Sequence, residues 1–409
     1  MIQRRLSLLY AMQGAAFGSL MPFPVPLLVE RGLGAAQIGL ILGITGLAAL
    51  AAYPIWGVVA DGWLGRSRTI GLTALVAAAG GGWILLAGSD PVAITAALST
   101  AMIGALAWGP LIDALTLGEL GAGSSSYGRI RVWASVGWAI AAIAGGLVWM
   151  QAGPAPVFAV FVLGALAVGL IALRAGRPAT MGVGDGAGGS RELVPRAPMR
   201  SWLPFLLAPL MIGFLVGLFV TSLGEHASWR FISLRILDQG GTVLLVGLAA
   251  ALPAIVEIPV FASSRGLAAR LGLRRLFVSG ALMAAVLMAL VTVAPEAWMV
   301  TGLRTLEGAS YALRYMAMVL IVGALLPPHL YAMGQSVAWL VYAGIAPIVA
   351  DAAGGVVYEL LGAPALFALV AVALVLGGGI VAFVLRGPAF GPQRAAAIPE
   401  EAPAPPPPA

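Results

Sequence analysis

Ionisable side chains are rare inside the long apolar stretches of this sequence. Each is a candidate for chemistry, because a charge at bilayer depth costs several kcal/mol unless it faces protein interior or water. Glu225 and His226 stand together, with Arg230 one helical turn further on. A histidine titrates near neutral pH, so the pair is a candidate proton site if it lies at mid-membrane. If the stretch instead ends at Leu223, both are residues of the outer surface. Glu257 lies between Pro253 and Pro259, whose missing amides loosen a helix and leave carbonyls to line a cavity, so it is a candidate proton carrier. Glu307, Tyr311 and Arg314 fall on one helix face, with Arg304 and Tyr315 beside them. That face could bind or gate a solute, or knit helices together. Asp351, near an outer loop, is a weaker case.

Asp113 and Arg131 straddle the polar segment that follows Leu120, so antiparallel neighbours can bring them together. They could form a substrate-orienting, proton-linked ion pair or a structural one, or Arg131 could reach for the interface. Trp108 and Trp138 accompany that hairpin and are candidates for stacking on a solute. Most other tryptophans suit an interfacial belt. The absence of Cys excludes disulfides and thiolate chemistry. No Walker signature, His/Glu metal spacing or Ser/His/Asp set is evident, so neither enzymatic activity nor a cofactor is expected.

Only 9% of the 409 residues are charged and 61% are hydrophobic, against about 25% charged in soluble domains. The mean hydropathy is +1.01. Apolar runs long enough to cross a bilayer recur from end to end, which predicts an all-α membrane protein of about twelve spans. They are expected at Leu6–Val29, Gln37–Val59, Thr69–Ala87, Val92–Leu117, Val132–Met150, Val157–Leu173, Trp202–Leu237, Thr242–Phe261, Leu276–Ala294, Trp298–Leu326, Tyr331–Tyr358 and Ala365–Leu385. The basic residues are all arginine and gather on alternate loops. This pattern places both termini in the cytoplasm of a bacterial inner membrane and argues against nucleic-acid binding. The expected domains are a six-helix bundle at 1–173, a cytoplasmic linker at 174–200 rich in Gly, Arg and Pro, a second bundle at 201–386, and a disordered proline-rich tail at 387–409. A shift of about 208 residues lays the first half weakly over the second, as parallel repeats predict.

The segment Gly57-Val-Val-Ala-Asp61-Gly-Trp-Leu-Gly65-Arg66-Ser-Arg68 resembles the cytoplasmic signature of the major facilitator superfamily, with one extra residue before Gly65 and Gly62 where a basic residue is usual. Asp61 could take hydrogen bonds from a facing helix N-terminus and latch the halves, with Arg66 and Arg68 fixing topology; a plain topogenic turn is the alternative. The segment Tyr127 to Trp138, preceded by Trp108 to Leu115, is similar to the helix 4 to 5 hairpin of proton symporters for phenylpropionate, nucleosides and oligosaccharides. That resemblance implies an ion pair at Asp113 and Arg131 touching substrate, with Trp138 stacking on it. It implies a secondary transporter. Alternating access is expected, with a small solute, protons and lipid as partners and the monomer as functional unit. Symport is the first expectation, proton-driven efflux of a drug or metabolite the alternative, and a non-transporting membrane scaffold the third reading. The second half lacks the acid and histidine set of sugar carriers, so a disaccharide is not the expected substrate.

Overall fold

The computed structural model describes residues 2–120, 126–175, 199–327, 330–387 and 390–391. The expected tail beyond 391 and most of the expected linker, 176–198, lie outside the described residues. Ten helices are long and apolar enough for one crossing: α1 (Ile2–Glu30), α2 (Ala35–Leu64), α3 (Arg66–Leu86), α4 (Pro91–Leu120), α5 (Tyr127–Ala152), α6 (Pro154–Ala175), α7 (Pro209–Asp238), α8 (Val243–Ala262), α9 (Leu273–Val293) and α10 (Ala297–Leu325). The last apolar stretch, Met333–Val384, has 52 residues, far more than one crossing needs. Gly362 divides it with φ 81°, a left-handed conformation that glycine adopts without steric cost. The parts before and after it are α11 (333–361) and α12 (363–384), which completes the expected twelve crossings among the described residues.

Two local features depart from the expected boundaries. The run from Trp202 begins in a separate short helix, Met199–Leu206, and α7 starts afresh at Pro209. The signature segment near Asp61 is not a loop: α2 continues through it as a π-helical turn, Ala60–Leu64, and reverses only at Gly65, where φ is 73°.

The halves repeat the same pairings. In the first, α1 packs on α5 and α6, α3 on α4 and α6, and α2 on α4. In the second, α7 packs on α11 and α12, α9 on α10 and α12, and α8 on α10. The repeat reaches individual side chains. Phe23 stacks on Trp149, whose Nε1 donates to Glu30 Oε2 at 3.1 Å. Phe231 stacks on Tyr358, whose hydroxyl donates to Asp238. Since 231 − 23 and 238 − 30 both equal 208, the structure repeats at the shift read from the sequence.

Between halves, α2 meets α11 and α5 meets α8, as a twofold axis along the membrane normal requires. These contacts are backbone to backbone. A Cβ on Gly39 would lie 2.2 Å from the Asp351 carbonyl oxygen, and one on Gly247 would lie 2.2 Å from that of Ala142. Both sites sit near the face opposite the N-terminus. On that face Glu359 also accepts from the backbone N–H of Ala36 at 2.8 Å, tying α11 to the start of α2.

Candidate functional site

Behind that closed face, a cavity of about 600 Å³ runs between the halves. Its walls differ. Gln13, Phe17, Thr45, Tyr53, Ser135 and Trp138 line it from the first half; Glu225, His226, Trp229, Arg230, Glu257, Arg304, Glu307, Tyr311, Tyr342 and Asp351 line it from the second.

Glu225 lies near the middle of the 30-residue α7, which continues well past Leu223. Its Oε2 pairs with Arg314 Nη1 at 3.0 Å, and its Oε1 accepts from the Tyr342 hydroxyl at 2.5 Å. Tyr342 is set by a π-helical turn in α11, Leu340–Ile345, a widening that recurs at functional sites. The same turn directs the Tyr342 carbonyl toward His226 Nε2 at 2.9 Å. A carbonyl only accepts, so that nitrogen carries the proton.

On α10, Arg304 and Glu307 are three residues apart and pair at 2.6 Å, both buried. Gly308 permits this depth: a Cβ there would lie 2.2 Å from the Pro253 carbonyl oxygen of α8. The Arg304 guanidinium lies 4.9 Å over Trp229. Nearer the closed face, Arg230 Nε pairs with Asp351 Oδ2 at 3.4 Å, while Asp351 Oδ1 is buried without a partner among the described residues.

Glu257 differs from these acids. It lines the cavity and, among the described residues, makes no hydrogen bond or ion pair. Arg304, Glu225 and Glu307 are the charges that act on it. Of the other expected residues, Trp138 lines the cavity, donates from Nε1 to the Ala250 carbonyl at 3.1 Å, and lies 6.2 Å from Trp229. Tyr311 lines it too and stacks on Tyr315.

Asp113, Arg131, Trp108 and Arg314 are not among the lining residues. No ion pair joins Asp113 to Arg131 among the described residues; Asp113 Oδ1 instead accepts from the Tyr10 hydroxyl at 2.6 Å, tying α4 to α1. Trp108 is fully buried against Phe17. Arg66 donates to the Ala114 carbonyl at 3.1 Å, and Asp61 is exposed with no hydrogen bond or ion pair among the described residues. The sequence reading overlooked Gln13, Trp229 and Tyr342. Only the Gly344 and Pro347 irregularity beside Tyr342 could have signalled that turn.

The profile of the MFS_1 like family matches residues 3–369. The chain belongs to this family of the major facilitator superfamily. It is 31% identical to the maltose permease of Geobacillus stearothermophilus over 304 residues, 73% of each chain. It is 24% identical to the uncharacterized transporter YwbF of Bacillus subtilis (strain 168) over 378 residues, 90% of each chain. A crystal structure of a mutant of the nucleoside transporter NupG matches with TM-score 0.76 at 15% identity, covering 94% of this chain and all of that one. This MFS_1 like chain is therefore a multi-pass membrane transporter of the major facilitator type, with its candidate site between the halves.

Proposed function

We propose that the protein is a proton-coupled symporter of a small polar organic solute, working by alternating access in a bacterial inner membrane with both termini cytoplasmic. The observation that carries this reading is Glu257, the unpaired acid among paired ones. Arg314 balances Glu225, Arg304 balances Glu307 and Arg230 balances Asp351. Ionised Glu257 leaves the cavity with an uncompensated negative charge, and burying it during closure is costly. Protonation neutralises it and permits the loaded transition. His226 Nδ1, with Nε2 committed to the Tyr342 carbonyl, is a second place for a proton.

Trp138, Glu307 and Tyr311 contact the solute. Asp113 and Arg314 act one layer back, through Tyr10 and Glu225. Arg131 and Trp108 brace the helices behind the first-half wall. Opening the closed face separates α2 from α11 and α5 from α8, and Asp61 latches the opposite face when the halves tilt back.

The test begins with a thermal-shift screen of sugars, nucleosides, peptides and aromatic acids to identify a solute. Uptake of that solute into proteoliposomes is then driven by an imposed proton gradient. Glu257→Gln is expected to lose gradient-driven accumulation by about tenfold or more while retaining solute exchange, because the loaded state stays neutral without a proton. Wild-type uptake indifferent to the gradient, or unchanged accumulation in Glu257→Gln, sinks proton coupling through this residue.

A further inference from the structure

A second hollow lies away from the central cavity and shares no lining residue with it. It is a groove of about 590 Å³ between α9 and α12, at the end of these helices nearest the linker and the chain termini. Arg274, Arg275 and Arg386 line it together with Ser279. Among the described residues, none of the three guanidinium groups makes a hydrogen bond or an ion pair; that of Arg386 lies 4.3 Å over the Phe383 ring. Neither helix carries an acid anywhere along its length. Three unbalanced positive charges around one groove call for an anion.

The rest of the groove is apolar and faces the membrane. Leu282 and Phe383 line it with their side chains largely exposed, and Val286 and Leu376 continue the two exposed stripes toward the bilayer centre. Arg275 to Leu282 is seven residues, about 10 Å along a helix. A ligand that fits both ends therefore has an anionic head at the interface and a hydrocarbon chain below it.

The first half supplies an internal comparison. Gly169 meets Ala74 as Gly378 meets Ala281, each with a would-be Cβ contact of 3.0 Å, so α6 and α3 correspond to α12 and α9. In that register Leu170 stands where Gly379 does, and Ser67 stands where Arg274 does. Ser67 spends its hydroxyl on the Ala172 carbonyl, and Gly71 packs against Leu173. A Cβ on Gly379, by contrast, would meet nothing within 4 Å. The open space beside Gly379 belongs to the second half, while cations occur at this end of both halves, Arg68 standing where Arg275 does and Arg174 where Phe383 does.

We propose that this groove binds an anionic phospholipid of the leaflet on the terminal side. Arg274, Arg275 and Arg386 hold its phosphodiester, and an acyl chain lies along Gly379 and Phe383. Arginines at headgroup depth beside a groove between helices suit this recognition. The proposal requires only that the chain spans a membrane and stands apart from proton coupling.

The test adds dioleoylphosphatidylglycerol, dioleoylphosphatidylcholine or inorganic phosphate to the purified full-length protein in a non-ionic detergent, followed by melting temperature and native mass spectrometry. Phosphatidylglycerol is expected to raise the melting temperature by about 3 °C or more and to appear as a retained adduct. Phosphatidylcholine at equal concentration is expected to do neither. The Arg274→Gln/Arg275→Gln double variant removes two charges, and Gly379→Leu fills the groove while keeping all three; each is expected to abolish the shift and the adduct. Equal responses to the two lipids, or an undiminished response in both variants, overturn the proposal. So does inorganic phosphate reproducing the whole shift, which would make the ligand a soluble anion.

Discussion

The two walls of the central cavity are chemically unlike. The first-half wall offers amide, hydroxyl and aromatic groups and no charge, whereas the second-half wall carries four acids, two arginines and a histidine. The described ion pairs around it join residues of the second half only: α7 to α11, α7 to α10, and α10 to itself. Separating a buried pair leaves an unbalanced charge and costs about 3–5 kcal/mol. A pair bridging the halves would therefore resist their relative motion. Because the charges are balanced within one half, the halves can part by breaking only backbone contacts and weak polar ones.

That contrast can be broken at several points. The largest effect is expected from Arg314→Met, which strands Glu225 beside Tyr342 and should cost about 3–5 kcal/mol. Thermal unfolding in detergent checks it against Gln13→Met in the neutral wall, which should change stability by less than about 1 kcal/mol. Equal losses would erase the distinction between the walls.

Next is Gly247→Leu, whose side chain has no room beside the Ala142 carbonyl; overpacking there should cost about 1–3 kcal/mol. The expected result is a closed face that no longer closes, with transport lost and the helical circular-dichroism signal kept. Since the chain has no native cysteine, a label pair at Leu33 and Leu361 reports the separation directly.

Asp113→Asn is expected to cost about 1 kcal/mol, because an amide oxygen still accepts from Tyr10. Solute affinity should change less than threefold. A loss of tenfold or more would put Asp113 in the binding site and give the first-half wall a working charge.

The smallest effect belongs to Glu359→Gln. The amide still accepts from Ala36 but loses the charge that favours the N-terminus of α2, worth about 0.5 kcal/mol. The same label pair should show a modest shift toward separation, and no shift would remove Glu359 from the closure.

The crossings were legible in the sequence because hydropathy is local: twenty apolar residues need a bilayer wherever they sit. The repeat was legible faintly at 208 residues, and the structure makes it concrete in the Phe23 and Phe231 stacks. Glu257, Glu307, Tyr311 and Trp138 line the cavity as their positions suggested. Their inward orientation follows from the cost of turning charge toward lipid. Tyr342 and Gln13 gave no such signal, since an aromatic or an amide in an apolar run is equally at home in packing.

The sequence by itself therefore determined which runs are long and apolar enough to cross, the faint repeat at 208 residues, and which helices carry charge. Only the tertiary structure decided the partners: Arg314 with Glu225, Tyr10 rather than Arg131 with Asp113, and Glu257 with none among the described residues. Burial preference is a property of each residue and adds along a segment. Pairing depends on how helices about a hundred residues apart are rotated and how closely glycine lets them approach, which spacing within one helix does not encode.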